Sequence, residues 1–219
     1  MILGFDTSTA ACAACVLRGE EVFEVAPEPQ ALLGRPAHAR ELMPAIAQVM
    51  DAAGARFSDL DAIAVGVGPG TFTGLRIGVT TARALAGASG LPLKPVSSLG
   101  ALAAGIGHDP ALALIDARRG ELFAALYNGG QALWEPFAAS PEAVAARVLH
   151  SGLAPRAAGD GSVRSRGVLE AAGISVEPDL SSAHVVRALH VYLLAADVPD
   201  APRESVLPDY IRAPDVNTQ

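Results

Sequence analysis

The order of strands and turns in this sequence repeats once, and this repeat constrains the fold more than any other feature. A strand ending in Asp6 is followed by a turn, a second strand and a glycine turn at Gly19. The same order returns at Asp116 and Gly129, and both pairs are 110 residues apart (116 − 6 = 110; 129 − 19 = 110). A repeat of this kind predicts two similar structural units. The offset also superimposes alternating apolar positions: Cys12, Ala14 and Val16 on Leu122, Ala124 and Leu126.

Each unit has the pattern β-β-β-α-β-α, which predicts a mixed α/β sheet flanked by helices. The boundary is expected near residues 95–110, giving a first lobe at 1–100, a second, reduced lobe at 101–198 and an extended tail at 199–219. Apolar alternation and turn residues predict the strands: 2–7, 11–17, 21–25, 63–67, 93–96, 111–116, 121–127, 131–136 and 156–158. Helical periodicity and capping residues predict the helices: 38–53, 73 onward, 99–105, 141–149, 163–172 and 184–196.

Residues 61–90 combine a buried strand, a glycine-proline loop and a long helix. Small residues recur at every fourth position of the loop and helix, so that they form one bare stripe once the segment is helical: Gly70, Gly74, Gly78, Ala82 and Ala86. A bare stripe allows another backbone to approach closely. The glycines therefore serve either turn geometry and packing or a cradle for an anion at the helix N-terminus. The loop lacks the Gly-Lys-Ser/Thr ending of a P-loop.

Composition and charge restrict the classes of function. The formal net charge is −7, and Lys94 is the single lysine. Autonomous binding to RNA or DNA is therefore not expected, because phosphate contacts require a basic face. Hydrophobic residues make up 51% of the chain, but no apolar run approaches the roughly 20 residues of a membrane span. Together with an N-terminus that lacks a basic leader, these features predict a soluble cytoplasmic protein.

The two cysteines are separated by two alanines, a spacing also found in redox and zinc sites. Cys12 and Cys15 fall in a predicted strand, where residues an odd number apart point to opposite faces of the sheet. The sequence contains no further cysteine to complete a zinc site. We therefore expect two small core residues.

Several motifs together resemble one known family. They are MILGFDTST, HARELMPAI, VGVGPGTFTGLRIGVTTARALA, DARRGELFAALY and the terminal PDYIRAP. In this order they are similar to the TsaB (YeaZ) family, the non-catalytic paralogues of the enzyme that makes threonylcarbamoyladenosine in tRNA. The resemblance covers most of the chain and is strongest over residues 1–127. It implies the two-lobed fold of actin, hexokinase and the heat-shock ATPases, in which the first hairpin turn of each lobe holds nucleotide phosphates and a metal.

The resemblance implies a binding partner rather than catalysis by this chain. Family members pair with the catalytic paralogue TsaD and the ATPase TsaE, and tRNA is reached through that complex. In isolation the same surface can form a homodimer. The surface implied by the resemblance lies on the first-lobe helices and the loop between them: His38, Met43, Ile46, Met50, Gly70, Thr71, Phe72, Gly74, Arg76, Gly78 and Ala82. The alternative is that these residues pack within the lobe.

Two departures from enzyme patterns favour a non-catalytic chain. The catalytic paralogue carries His-x-x-x-His, whereas His38 is followed at that spacing by Leu42, so we expect no metal site. Superfamily ATPases place a glycine soon after the first aspartate, whereas Asp6 is followed by Thr7 and Ser8. These three residues are expected to form a vestigial phosphate loop at most, with no cofactor. A kinase or ATPase of the superfamily and a glycopeptidase-like metalloenzyme remain the alternative functions.

Overall fold

The computed structural model describes residues 1–211, which form two sheets with the same strand connectivity. The first sheet has the order β3-β2-β1-β4-β5. Its strands are β1 (Ile2–Asp6), β2 (Ala13–Arg18), β3 (Glu21–Val25), β4 (Ala62–Gly68) and β5 (Leu93–Ser97). The second sheet has the order β11-β10-β6-β7-β8, and β9 also pairs with β7. Its strands are β6 (Ala111–Arg118), β7 (Glu121–Asn128), β8 (Gln131–Ala132), β9 (Phe137–Ala139), β10 (Arg156–Ala158) and β11 (Ser175–Val176).

The repeat read from the sequence is present in the sheets. β1 pairs antiparallel with β2 and parallel with β4, and β6 pairs in the same senses with β7 and β10. The strand pairing departs by one residue from the offset of 110. Asp6 pairs with Ala13, whereas Asp116 pairs with Leu122, one residue earlier than the offset predicts. The second hairpin is shorter because it closes through a tight turn at Arg119. The duplicated α/β lobes confirm the actin-like fold class, and the two-residue strands β8 and β11 make the second lobe the reduced one.

Helices complete a layered arrangement around the two sheets. α1 (His38–Ala52) and α2 (Phe72–Ser89) share one apolar core with the outer face of the first sheet. α3 (Ser98–Ala104) and α7 (Ala188–Leu194) lie between the sheets and bury side chains from both. α4 (Pro141–Ser151) and α6 (Arg166–Ala171) cover the outer face of the second sheet, with α5 (Asp160–Arg164) at its edge.

Three predicted elements were wrong in detail. The helix expected at 163–172 is divided at Ser165 into α5 and α6. The helix expected at 184–196 begins only at Ala188, because Val185 is extended after a short 3-10 turn at Ser182–His184, and a second such turn at Ala195–Asp197 ends it. The strand expected at 131–136 stops after two residues, and the strand β9 was missed. The loop at 27–36 contains a 3-10 turn at Pro29–Leu33.

The tail runs over the first lobe as far as the structure describes it. Ala201 forms an antiparallel bridge with Leu93, and the backbone N–H of Asp209 donates to the carbonyl of Val67 at 2.7 Å. These contacts hold the described tail against the first lobe, and a turn interrupts it where the Ser205 N–H donates to the Pro202 carbonyl at 3.0 Å. The rest of the predicted tail, 212–219, lies outside the described residues and includes the last three residues of the PDYIRAP motif.

The two cysteines belong to the core, as expected. Cys12 lies in the core beneath α1 and α2, whereas Cys15 packs on the opposite face of the sheet with Ala188 of α7. Both are free thiols, and burial raises the pKa of each to about 12. Among residues 1–211, no helix combines the length and apolar character needed to cross a bilayer.

Candidate functional site

The residues expected at a phosphate loop lie at the end of β1 and are enclosed by the protein. Asp6 is 1% exposed, and its Oδ1 accepts hydrogen bonds from the backbone N–H of Ser8 at 2.7 Å and from the Ser8 hydroxyl at 2.6 Å. Its Oδ2 accepts from the hydroxyl of Ser98 at 2.7 Å. Burial raises the pKa of Asp6, and the bonds from Ser8 and Ser98 oppose that shift. The carboxylate therefore holds its own turn and the start of α3.

Helix α2 closes the turn from above. The Thr71 N–H donates to the Ser8 carbonyl at 2.7 Å, and the Thr7 hydroxyl donates to the Gly74 carbonyl at 2.8 Å. A Cβ at Gly74 would lie 2.0 Å from the Thr7 carbonyl oxygen, and one at Gly70 would lie 2.4 Å from that of Ser8. The glycine stripe thus serves packing within the lobe. A phosphate placed over this turn would have to displace the helix.

Ser98 and Gly66, which contact Asp6, were not recognised from the sequence as part of this arrangement. Ser97 caps α3 through the Gly100 N–H, which leaves the neighbouring Ser98 hydroxyl to bond Asp6. Gly66 makes room for the carboxylate, because a Cβ there would lie 1.8 Å from Asp6 Oδ2. A glycine inside a buried strand signals a close approach of this kind. The sequence does not show which side chain approaches.

His38 supports the same turn from α1. The ring is 2% exposed, and Nε2 lies 2.9 Å from the carbonyl oxygen of Thr9. Because a carbonyl only accepts, Nε2 carries the proton, and Nδ1 holds a buried lone pair that has no hydrogen-bond partner among residues 1–211. Burial lowers the pKa of His38, which keeps the ring neutral at pH 7. Leu42 is 1% exposed in the core, and residues 1–211 contain no cluster of three or more His, Cys, Asp or Glu placed to hold a metal.

The expected partner surface is divided between exposed and buried residues. Met43, Phe72 and Arg76 are exposed, and Gly70 and Thr71 are half-buried. The other six are buried in this lobe and offer no surface in this conformation: His38, Ile46, Met50, Gly74, Gly78 and Ala82.

Met43 and Met50 were both expected at the partner surface, but only Met43 is exposed there. Met50 is 4% exposed, whereas Met43 is 48% exposed. The chain turns back after α1, and Phe57 and Leu60 of the returning segment belong to the same core as Met50. The returning segment therefore accounts for the difference between the two methionines.

The described part of the tail reaches the exposed start of α2. The Tyr210 ring stacks on Phe72 with 5.1 Å between centroids and an interplanar angle of 30°. The Arg76 guanidinium lies 4.3 Å from the centroid of the same phenyl ring. Phe72 is thus a shared contact of tail and helix, and it is still 36% exposed.

The fold and the filled turn define a class of protein: a two-lobed, actin-like chain whose first phosphate turn is occupied by its own side chains. The family model described as "TsaD: tRNA N6-adenosine threonylcarbamoyltransferase" matches residues 32–158, more than half of the chain. Together with the relatives described next, this match shows that the chain belongs to the TsaB (YeaZ) family of threonylcarbamoyltransferase-like proteins.

Relatives in sequence and in structure agree with this assignment. The tRNA threonylcarbamoyladenosine biosynthesis protein TsaB of Escherichia coli is 36% identical over 134 residues, which cover 58% of this chain and 54% of that protein. YeaZ from Pseudomonas aeruginosa superimposes with a TM-score of 0.77 at 29% identity, covering 95% of this chain and 98% of that one. A second Pseudomonas aeruginosa structure, described as similar to peptidase YEAZ, gives a TM-score of 0.80 at 29% identity, with coverages of 96% and 99%. The matched part of the chain spans about half the length of the curated relatives.

Proposed function

We propose that this chain is a non-catalytic subunit in the biosynthesis of threonylcarbamoyladenosine in tRNA. In this proposal it binds a TsaD-like catalytic paralogue and reaches tRNA only through the resulting complex. The tRNA role is supported by the named function of the relatives in Escherichia coli and Bacillus subtilis. A TsaE-like ATPase is the further partner, and a homodimer is the expected form of the chain in isolation.

The observation that carries the non-catalytic role is the closed turn at Asp6. Within residues 1–211, the Asp6 carboxylate accepts three hydrogen bonds, from the Ser8 N–H and from the hydroxyls of Ser8 and Ser98. The backbone that would approach a phosphate is covered by the start of α2 at close contact. A buried polar group that is fully bonded stabilises one conformation, and opening it would leave donors and the acceptor unsatisfied. The turn is therefore a structural support for the surface above it.

The partner surface follows from the residues that the lobe leaves exposed. Met43 presents an apolar, flexible side chain that adapts to a facing surface. Phe72 and Arg76 add an aromatic and a cationic group at the start of α2. Aromatic, methionine and arginine side chains are enriched at protein interfaces. We propose these three as the direct contacts, held in place by the buried residues beneath them.

Co-purification with the TsaD-like paralogue of the same organism tests the proposal. Met43→Glu combined with Arg76→Glu is expected to abolish the complex, because carboxylates would be desolvated at the contact. Leu149→Glu is the matched control: Leu149 is 62% exposed on α4 of the other lobe, so that variant should still form the complex. Circular dichroism establishes that each variant is folded.

Other outcomes would contradict the proposal. If the parent chain forms no complex and hydrolyses ATP, the kinase or ATPase alternative replaces it. If the parent chain forms no complex and carries a stoichiometric metal, the metalloenzyme alternative replaces the proposal. If the parent, the double variant and Leu149→Glu all co-purify equally with the paralogue, the proposed contact surface is wrong.

A further inference from the structure

In the hairpin between β6 and β7, two arginines adopt a backbone conformation that is unfavourable for residues with a Cβ. Arg118 has φ of 64° and Arg119 has φ of 54°, both in the left-handed region, and Gly120 follows at 78°. Residues with a Cβ disfavour this region, whereas glycine enters it freely. Two arginines at positions that suit glycine indicate that their side chains have a role at the turn.

A buried carboxylate orients Arg118 of this hairpin together with an arginine from α5. Asp116 Oδ2 lies 3.0 Å from Nη1 of Arg118 and 3.0 Å from Nε of Arg164. The Asp116 side chain is 10% exposed, but those of Arg118 and Arg164 are 51% and 54% exposed. Each guanidinium has five N–H donors in a fixed fork. One carboxylate thus holds two guanidiniums and leaves them further donors, while Asp160, which accepts a hydrogen bond from the Asp116 N–H at 3.0 Å, places a second carboxyl beside them.

The cluster borders an open cleft of about 500 Å³. Its walls are the hairpin, the start of α4 and the junction between α5 and α6, where Ser165 contributes a hydroxyl. Glu121 and Glu142 also line the cleft. The cleft therefore combines guanidiniums with carboxylates, which weakens its attraction for an anion.

We propose that Arg118, Arg119 and Arg164, here termed the arginine tip, contact the phosphate backbone of tRNA in the assembled complex. The inference rests on the proposed function and adds a direct RNA contact from the second lobe. Guanidiniums bind phosphate through paired hydrogen bonds, and a carboxylate behind them holds the fork in place. With the net charge of −7, the contact is too weak for autonomous binding and operates when the partner holds the tRNA close.

The experiment measures tRNA affinity of the assembled complex over a fourfold range of salt concentration. Arg118→Gly/Arg119→Gly removes two cations while keeping the left-handed turn. Each phosphate contact changes the slope of log K against log salt by about 0.7 to 0.9. Fourfold more salt should therefore weaken binding by the parent complex about seven- to twelvefold more than binding by the variant complex.

Two control variants separate the position of the charges from their number. Arg118→Lys/Arg119→Lys keeps both the charge and the backbone conformation, so it should retain most of the salt slope. Arg56→Gln/Arg203→Gln removes the same charge from exposed sites on the first lobe and its tail, and should leave the slope at the parent value. Equal slopes for the parent and the glycine variant would overturn the inference.

The same samples distinguish this inference from the proposed function. Complex formation is first measured without RNA by size-exclusion chromatography. If the parent chain forms no complex, the proposed function has failed. If the glycine variant alone loses the complex, the arginine tip contacts protein and the inference is wrong. The inference would also be overturned if ATP or inorganic phosphate competed for the arginine tip while the slope of log K for tRNA against log salt stayed unchanged.

Discussion

The packing of α2 on the first-lobe turn makes a sharp prediction for two glycines of that helix. Gly74→Ala should destabilise the protein, whereas Gly87→Ala should stabilise it. In both cases the helix gains up to the propensity difference between Ala and Gly, which is about 1 kcal/mol in a helix interior. The two positions differ in what the new Cβ meets.

The cost at Gly74 follows from the distances. The new Cβ would lie 2.0 Å from the Thr7 carbonyl oxygen, and ordinary contact begins at 3.4 Å, so backbone atoms must separate by 3.4 − 2.0 = 1.4 Å. Overpacking costs about 1–3 kcal/mol, and a backbone neighbour favours the upper end. After the propensity gain, the net loss is about 2 kcal/mol.

At Gly87 the nearest atom is Nη1 of Arg203, the far end of a flexible side chain that is 50% exposed and pairs with the exposed Glu204. The net gain there is up to about 1 kcal/mol. For a chain of this size, 1 kcal/mol corresponds to about 2–4 °C in Tm. Thermal unfolding should therefore place Gly74→Ala about 4–8 °C below the parent and Gly87→Ala up to about 2–4 °C above it. Equal Tm values for the two variants would refute the account of the turn.

Three further predictions concern buried groups. Burial raises the pKa of Asp6 above its ordinary value of 3.8. Between the pKa of the unfolded state and that of the native state, the native state holds a proton that the unfolded state has lost, so the free energy of unfolding falls as pH rises through that window. The difference in Tm between Asp6→Asn and the parent should therefore grow in favour of the variant from pH 3 to pH 7, and a constant difference would contradict this linkage. Met50→Glu should lower the free energy of unfolding by about 3 kcal/mol or more, whereas Met43→Glu should change it by less than about 0.5 kcal/mol in the same urea titration; equal losses would contradict the burial difference. Cys12 and Cys15, with pKa values of about 12, should resist alkylation at pH 8 until the chain unfolds, which mass spectrometry detects; rapid labelling of folded protein would be inconsistent with their burial.

Much of the fold could be predicted because its signals are local. Apolar alternation or a continuous apolar run marks the longer strands but not the short strands β9 and β11. Capping by Ser97 and Ser140 was visible as a serine before a helical pattern. The divided helix at Ser165 was not predictable in this way, because its two short segments share one helical periodicity. The extended Val185 was also missed, since the preceding serines resemble the start of a longer helix.

The candidate site was less predictable because its contacts join distant parts of the chain. Asp6 and the glycine stripe were recognised separately, but their contact depends on the path of β4 and α2 over 60 residues later in the sequence. The bond from Ser98 to Asp6 crosses 92 positions, and that from His38 to Thr9 crosses 29. Residue types alone allowed either a phosphate cradle or a packed turn. The packing of the helix against the turn distinguishes them.

The most direct test of the central claim is tRNA modification reconstituted from the TsaD-like paralogue, its further partners and this chain with Asp6→Asn. The amide keeps an oxygen for the Ser8 donors and gives Ser98 a donor in place of the second oxygen, so the turn should remain closed. We predict that threonylcarbamoyladenosine formation requires this chain and is unchanged by Asp6→Asn. Loss of modification in a complex that still assembles would contradict the account, because it would show that the Asp6 carboxylate takes part in the chemistry.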